Sequence, residues 1–183
     1  MKRPISLKLP ILLTLAAILL AFGALGVLVY EVKGDIQYVF SSAVLPEPPS
    51  STTSVDVKQM FALINQARQE NNLPPFVESH DLSYVAYLRA KDMLENSEFS
   101  HEATRSGATM KNIITRLRLR YDRMKENLAL GPTNSETIVH AWINSPKHAE
   151  VLFAEGQWDA GVYAFEGKFY KHPTVVTALV VAN

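Results

Sequence analysis

The chain contains no cysteine. That absence excludes a disulfide framework, a thiolate zinc site and a cysteine nucleophile. Net charge is missing too: Lys+Arg and Asp+Glu number 18 each over 183 residues, and 14 each from Val57 onward. A balanced surface offers no long-range field to capture a polyanion, which argues against a nucleic-acid partner. There is no Gly-rich phosphate loop and no Gly-x-Ser-x-Gly elbow, and His101-Glu102 lacks the second histidine a zincin helix requires. No internal repeat occurs. The lack of cysteine does not argue against export, because a domain of this length buries enough apolar surface without covalent staples.

What the chain does have is a concentrated apolar run near its start. Residues 1–10 carry Lys2, Arg3 and Lys8 and no acid, and Ile11 to Tyr30 follows without a charge. As a helix, such a run is about 30 Å long, the thickness of a bilayer's hydrocarbon core. It exceeds the apolar stretch of about 7–15 residues in a cleavable signal peptide. The expectation is one transmembrane signal-anchor over 11–30. A cleaved signal with secretion, or a buried core helix, are the other readings. Basic residues ahead of the span place the N-terminus in the cytoplasm and the rest outside, so the membrane is a partner through residues 11–30. Residues 31–56, rich in Pro, Ser and Thr in their second half, read as an extended, solvated tether.

From residue 57 to 183 the pattern is that of one domain. Met60, Leu63, Ile64 and Ala67 repeat at helical spacing, and Asn71-Asn72-Leu73-Pro74-Pro75 ends that helix. A second helix fits Ser79 to Asn96, with Leu82, Val85, Ala86 and Met93 as its apolar stripe. Ser97 to Gly107 is a polar loop, and Met110, Ile113, Ile114 and Leu117 mark a third helix. A strand falls within Tyr121 to Leu130. Thr133 and Glu136 match a capping box opening a helix that ends near Asn144. Ser145-Pro146-Lys147-His148 then starts another, with Ser at the cap and Pro at the first helical position. Trp158 to Phe165 and Thr174 to Ala182 read as strands, with Gly167 at the turn between them. Helices first and strands late predict an α+β or layered α-β-α domain with a mainly antiparallel sheet.

Three residues stand out chemically. His148, at the third position of its helix, faces the positive end of a helix dipole, which favours the neutral imidazole. His101 lies in a polar loop. Glu126 sits in a strand that turns apolar after it, so its carboxylate needs a partner or a route to solvent. Each histidine taken alone reads first as a structural residue, and His80, His140 and His172 show no mutual spacing. The run Arg116, Arg118, Arg120, Arg123 and Lys125 reads as a solvated face rather than as an anion site.

The order of landmarks adds a resemblance. Leu63-Ile64-Asn65-Gln66-Ala67-Arg68 precedes Leu73-Pro74-Pro75-Phe76. Then follow Arg89-Ala90-Lys91-Asp92-Met93, Phe99-Ser100-His101, Glu126-Asn127-Leu128-Ala129, Ala141-Trp142-Ile143-Asn144-Ser145-Pro146-Lys147-His148 and Gly161-Val162. From about Val57 to Asn183 this resembles the CAP superfamily (cysteine-rich secretory proteins, antigen 5, pathogenesis-related proteins), in its cysteine-free bacterial SCP-like branch. The resemblance implies a three-layer α-β-α sandwich with a cleft where His101, Glu126 and His148 converge. It also implies that these three residues suit a divalent metal such as zinc. Two positions depart from the pattern: Asn144 and Ser145 stand where many eukaryotic members carry a second cleft glutamate, and Lys125 replaces the usual glycine. With no acid pair and no nucleophile, the expectation is a binding module for a lipid, a cell-envelope component or a peptide. A metal-dependent, peptidase-like hydrolase using the same cleft, or a structural domain without a ligand, are the alternatives. The sequence does not name the ligand or the oligomeric state.

Overall fold

A computed structural model describes residues 27–32, 35–40, 45–50, 53–131 and 134–183, with the backbone alone described before residue 45. It divides into two units, Met1–Val44 and Leu45–Asn183. In the first, β1 (Val27–Val32) pairs antiparallel with β2 (Asp35–Phe40), from Val27 opposite Phe40 to Val32 opposite Asp35. The apolar span expected over 11–30 falls mostly outside the described residues, but its last four, Val27–Tyr30, are strand and not helix. Alternating β-branched and aromatic residues favour that pairing over a helix end. Among the described residues no helix is long and apolar enough to cross a membrane.

The second unit holds α1 (Val57–Glu70), β3 (Val77–Glu78), α2 (His80–Asn96), α3 (Met110–Arg116), β4 (Met124–Leu130), α4 (Ser135–Ile143), α5 (Pro146–Leu152), β5 (Asp159–Phe169) and β6 (His172–Ala182). The strand order is β3-β5-β6-β4. β6 runs antiparallel to both β5 and β4, while β3 joins β5 in parallel through Val77–Asp159 and Glu78–Ala160. The sheet is therefore mixed, which corrects the expectation of a mainly antiparallel one. Val77-Glu78 is too short to carry a period-two signal, and so reads as part of a connection between helices.

Helices cover both faces of this sheet. Val175, Leu179 and Val181 of β6 pack with Met60, Ile64, Val139, Trp142 and Leu152 from α1, α4 and α5. Val176, Ala178, Val180 and Ala182 pack with Leu82, Val85, Met93, Ile113 and Ile114 from α2 and α3. A central strand buried on both sides has no polar face to show, which is why β6 reads as a nearly continuous β-branched run.

Local chemistry sets the helix boundaries. The Asp56 carboxylate accepts from the N–H groups of Lys58 and Gln59 and caps α1. Asn134, not the expected Thr133, caps α4 by accepting from the Thr137 N–H. The β5–β6 hairpin is longer than expected. It turns at Tyr170-Lys171, both at positive φ (45° and 73°), whereas Gly167 lies within β5 opposite Thr174. Turn signals written in Gly or Asn miss a turn made of two ordinary residues. Gly161 has a different role. A Cβ there would come 2.0 Å from the Ser83 nitrogen, so only glycine lets the first turn of α2 rest directly on β5.

The segment expected to be a free tether is structured in two places. Asp35–Phe40 forms β2, and Leu45–Ser50 lies against the domain, where the Tyr163 hydroxyl donates to the Pro49 carbonyl. Proline-rich composition predicts an extended chain, but whether that chain is solvated depends on the surface it meets.

Candidate functional site

Arg89 occupies a position on the buried stripe of α2, one turn after Val85 and Ala86, and its side chain has no exposure. Its Nε donates to Glu126 Oε1 at 2.7 Å and its Nη2 to Oε2 at 3.3 Å. Nη2 and Nη1 also donate to the carbonyls of Ser100 (2.7 Å) and Ala108 (2.8 Å) in the loop after α2. Helix α2, strand β4 and the loop bearing His101 are thus joined by one cation. The strand carboxylate that needed a partner finds it here.

The loop is closed by its own acid. The Glu98 carboxylate accepts from the N–H groups of Thr104 and Arg105 and from the Thr104 hydroxyl, and these bonds hold its pKa below the usual carboxylate value. On this frame His101 presents Nδ1 to Glu126 Oε2 at 2.8 Å. Its side chain is 57% exposed while that of Glu126 is 4% exposed. The hydrogen bond to Glu126 raises the His101 pKa, against a smaller opposing effect of burial. Accepting at Oε2, the carboxylate fixes the tautomer and leaves Nε2 as the ring atom for a ligand.

His148 reaches the same region from α5. Its Nδ1 and the Ser145 hydroxyl are hydrogen-bonded at 2.9 Å, and its backbone carbonyl accepts from Asn127 Nδ2 at 2.9 Å, beside Glu126 on β4. Ser145 takes the N-cap position of α5 but makes no side-chain cap bond, because its hydroxyl is given to the histidine. The His148 ring lies 6.5 Å from that of Trp142, whose Nε1 donates to the Leu128 carbonyl. Burial, and then the nearby His101, lower the His148 pKa. The two histidines are therefore shifted in opposite directions within electrostatic reach of each other.

The structure thus joins His101 directly to Glu126 and ties His148 to β4 through Asn127. The Glu126 carboxylate accepts from Arg89 at both oxygens and is also hydrogen-bonded to His101 at Oε2. Among the described residues no group of three His, Cys, Asp or Glu side chains is placed to hold a metal ion. What a divalent cation would meet is the imidazole pair, with Glu126 behind His101 as its orienting partner. Sequence reasoning gave Arg89 no role. The available signal was an arginine on the apolar stripe of an amphipathic helix, which calls for a buried counter-charge. The basic run is largely exposed, although Lys125 Nζ donates to the Glu150 carbonyl and Arg123 stacks over Trp158.

The chain is similar to known proteins in sequence and in fold. The model of the cysteine-rich secretory protein (CAP) family matches residues 61–164. An uncharacterised protein of Bacillus subtilis, YkwD, is 30% identical over 100 residues, covering 55% of this chain and 38% of that protein. An uncharacterised membrane protein of the same organism, YlbC, is 26% identical over 141 residues, covering 77% and 40%. The chain thus spans about two fifths of the length of these curated relatives. Among solved structures, an extracellular SCP-domain protein of Bacillus anthracis superposes with a TM-score of 0.55 at 25% identity, covering 68% of this chain and 39% of that one. An outer surface protein of Borrelia burgdorferi gives 0.57 at 23% identity, covering 69% and 90%, a likeness of fold. With the family pattern spanning more than half its length and the fold matched, the chain belongs to the cysteine-rich secretory protein (CAP) family.

Proposed function

We propose that this chain is an extracytoplasmic binding domain, attached to the membrane through its N-terminal apolar run, whose cleft at His101, Glu126 and His148 takes a lipid, cell-envelope or peptide ligand. One observation carries this reading: Glu126 is held by Arg89 at both oxygens and is hydrogen-bonded to His101 at one of them. A carboxylate so held serves to orient an imidazole, a role that suits binding of a ligand at the ring's free nitrogen. The cleft keeps two neutral-capable imidazoles on fixed supports, which suits recognition of a polar head group. A divalent metal held by His101 and His148 would polarise a bound carbonyl or phosphate oxygen. Attachment is supported by the basic residues ahead of the apolar run and by the membrane protein among the relatives.

The test is co-sedimentation of the full chain with purified cell wall and with anionic lipid vesicles, alongside turnover of a p-nitrophenyl ester and of casein. The expected result is binding to one of the two materials that falls at least tenfold in a His101→Ala/His148→Ala variant, with no His148-dependent turnover. Hydrolysis abolished by His148→Ala in a folded protein overturns the binding reading. Attachment is checked by alkaline extraction of membranes and by external protease, which should leave the chain in the pellet and cleave its C-terminal domain from outside.

A further inference from the structure

A second site lies away from this cleft and shares no residue with it. A cavity of about 460 Å³ opens between the segment Leu45–Ser50 and the body of the domain. The strap contributes Glu47, Pro48, Pro49 and Ser50. The facing wall includes Val57 and Phe61 of α1, His80 of α2, and Val162 and Tyr163 of β5. Two polar anchors act across it. The Tyr163 hydroxyl donates to the Pro49 carbonyl, and burial holds that phenol above its ordinary pKa, so the donor stays protonated at neutral pH. His80 Nε2 stands 3.3 Å from Glu47 Oε1, yet that nitrogen is buried without a hydrogen bond.

These features describe a recognition surface that its present occupant fills badly. An aromatic and aliphatic wall with a hydroxyl aimed at a proline carbonyl is how extended, proline-containing peptides are read. Such segments pay little entropy on docking, because proline already restricts them. The strap leaves a cavity beneath it and a buried His80 Nε2 without a hydrogen bond, and Pro46, Glu47 and Pro49 remain exposed. Covalent linkage supplies an effective concentration on the order of millimolar, enough to hold a weak fit in place. The groove also borders the side of β5 on which the only described strand neighbour, β3, stops at Ala160.

We propose that the groove between Phe61, His80 and Tyr163 is a docking site for an extended peptide bearing a carboxylate two residues before a proline carbonyl, and that Leu45–Ser50 is its displaceable occupant in cis. A partner with the same chemistry and an acid that hydrogen-bonds His80 displaces the strap and fills the cavity. Binding there would release the tether from the domain and lengthen its reach.

The experiment measures fluorescence anisotropy of a labelled peptide with the sequence of Leu45–Ser50 against two full-length proteins, wild type and Glu47→Ala/Pro48→Gly/Pro49→Gly. The peptide is expected to bind the strap variant at least tenfold more tightly, since its competitor in cis is disabled. Adding Tyr163→Phe, which keeps the buried ring, should reverse that gain. A peptide with Gln in place of Glu should bind at least threefold more weakly, a comparison that alters no residue of the protein. Equal affinity for wild type and strap variant overturns the proposal, as does indifference to Tyr163→Phe. A strap variant that self-associates on size exclusion and ignores the peptide makes the segment a cover for the sheet edge, and that also overturns it.

Discussion

A guanidinium without solvent exposure needs partners for its N–H donors, and Arg89 makes four hydrogen bonds, two to the Glu126 carboxylate and two to loop carbonyls. Removing one member of such a pair leaves the other charge buried, at a cost of about 3–5 kcal/mol. Arg89→Met should therefore lower stability by that amount in urea denaturation and free the loop around His101. Glu126→Gln keeps the shape but removes the charge. It should bring the His101 pKa down, read from the imidazole proton shifts in an NMR titration. The pH dependence of stability has a definite sign. Because the folded His101 pKa is raised, its contribution is fully present below the unfolded value, about 6.5, and is lost as pH rises through the folded value. His148, with its pKa lowered, works the other way: its contribution is present above the unfolded value and is lost as pH falls through the folded one. Urea midpoints of His101→Ala and His148→Ala across the slightly acid to slightly alkaline range should therefore move apart in opposite senses.

The elements are placed by contacts that depend on side-chain size and on caps. Helix α2 rests on β5 at Gly161, where any Cβ meets helix backbone, not the movable tip of a side chain. Overpacking of a core usually costs about 1–3 kcal/mol, and Gly161→Ala should reach or exceed the top of that range because neither backbone can give way. Calorimetric melting of the variant checks this. The α1 cap is an ordinary one, and Asp56→Ala should cost about 1 kcal/mol. Most of these elements were legible: the stripes of α1 and α2, the Pro146 start of α5 and the valine-rich β6 follow from periodicity and helix-start rules. The parallel strand β3, the cap at Asn134 and the Tyr170-Lys171 turn were not. Each is either too short for a periodic signal or uses a residue that many environments accept.

At the scale of the whole domain, β6 belongs to two cores at once, and both tryptophans, Trp142 and Trp158, report on only one of them. Val180 lies in the other. If the two cores melt together, Val180→Ala should shift the tryptophan-fluorescence midpoint as much as the circular-dichroism midpoint, which is the test of two-state behaviour. Arg68 strengthens the expectation of cooperativity. Fully buried, it donates to the carbonyls of Pro74, Leu152, Ala154 and Gly156 and stacks on Phe76, so it ties the end of α1 to the connections on either side. The sequence by itself determined the layered α+β class, the positions of the long helices and the three residues around which a cleft was expected. Those follow from local periodicity, capping chemistry and a family-like order of motifs along the chain. Only the tertiary structure decided that Glu126 pairs with Arg89 and His101. It also decided that Ser145 orients His148 and that the proline-rich strap lies in a groove. Each of those outcomes depends on which distant residues come to share a few ångströms, and residues far apart in the chain carry no periodic trace of their meeting.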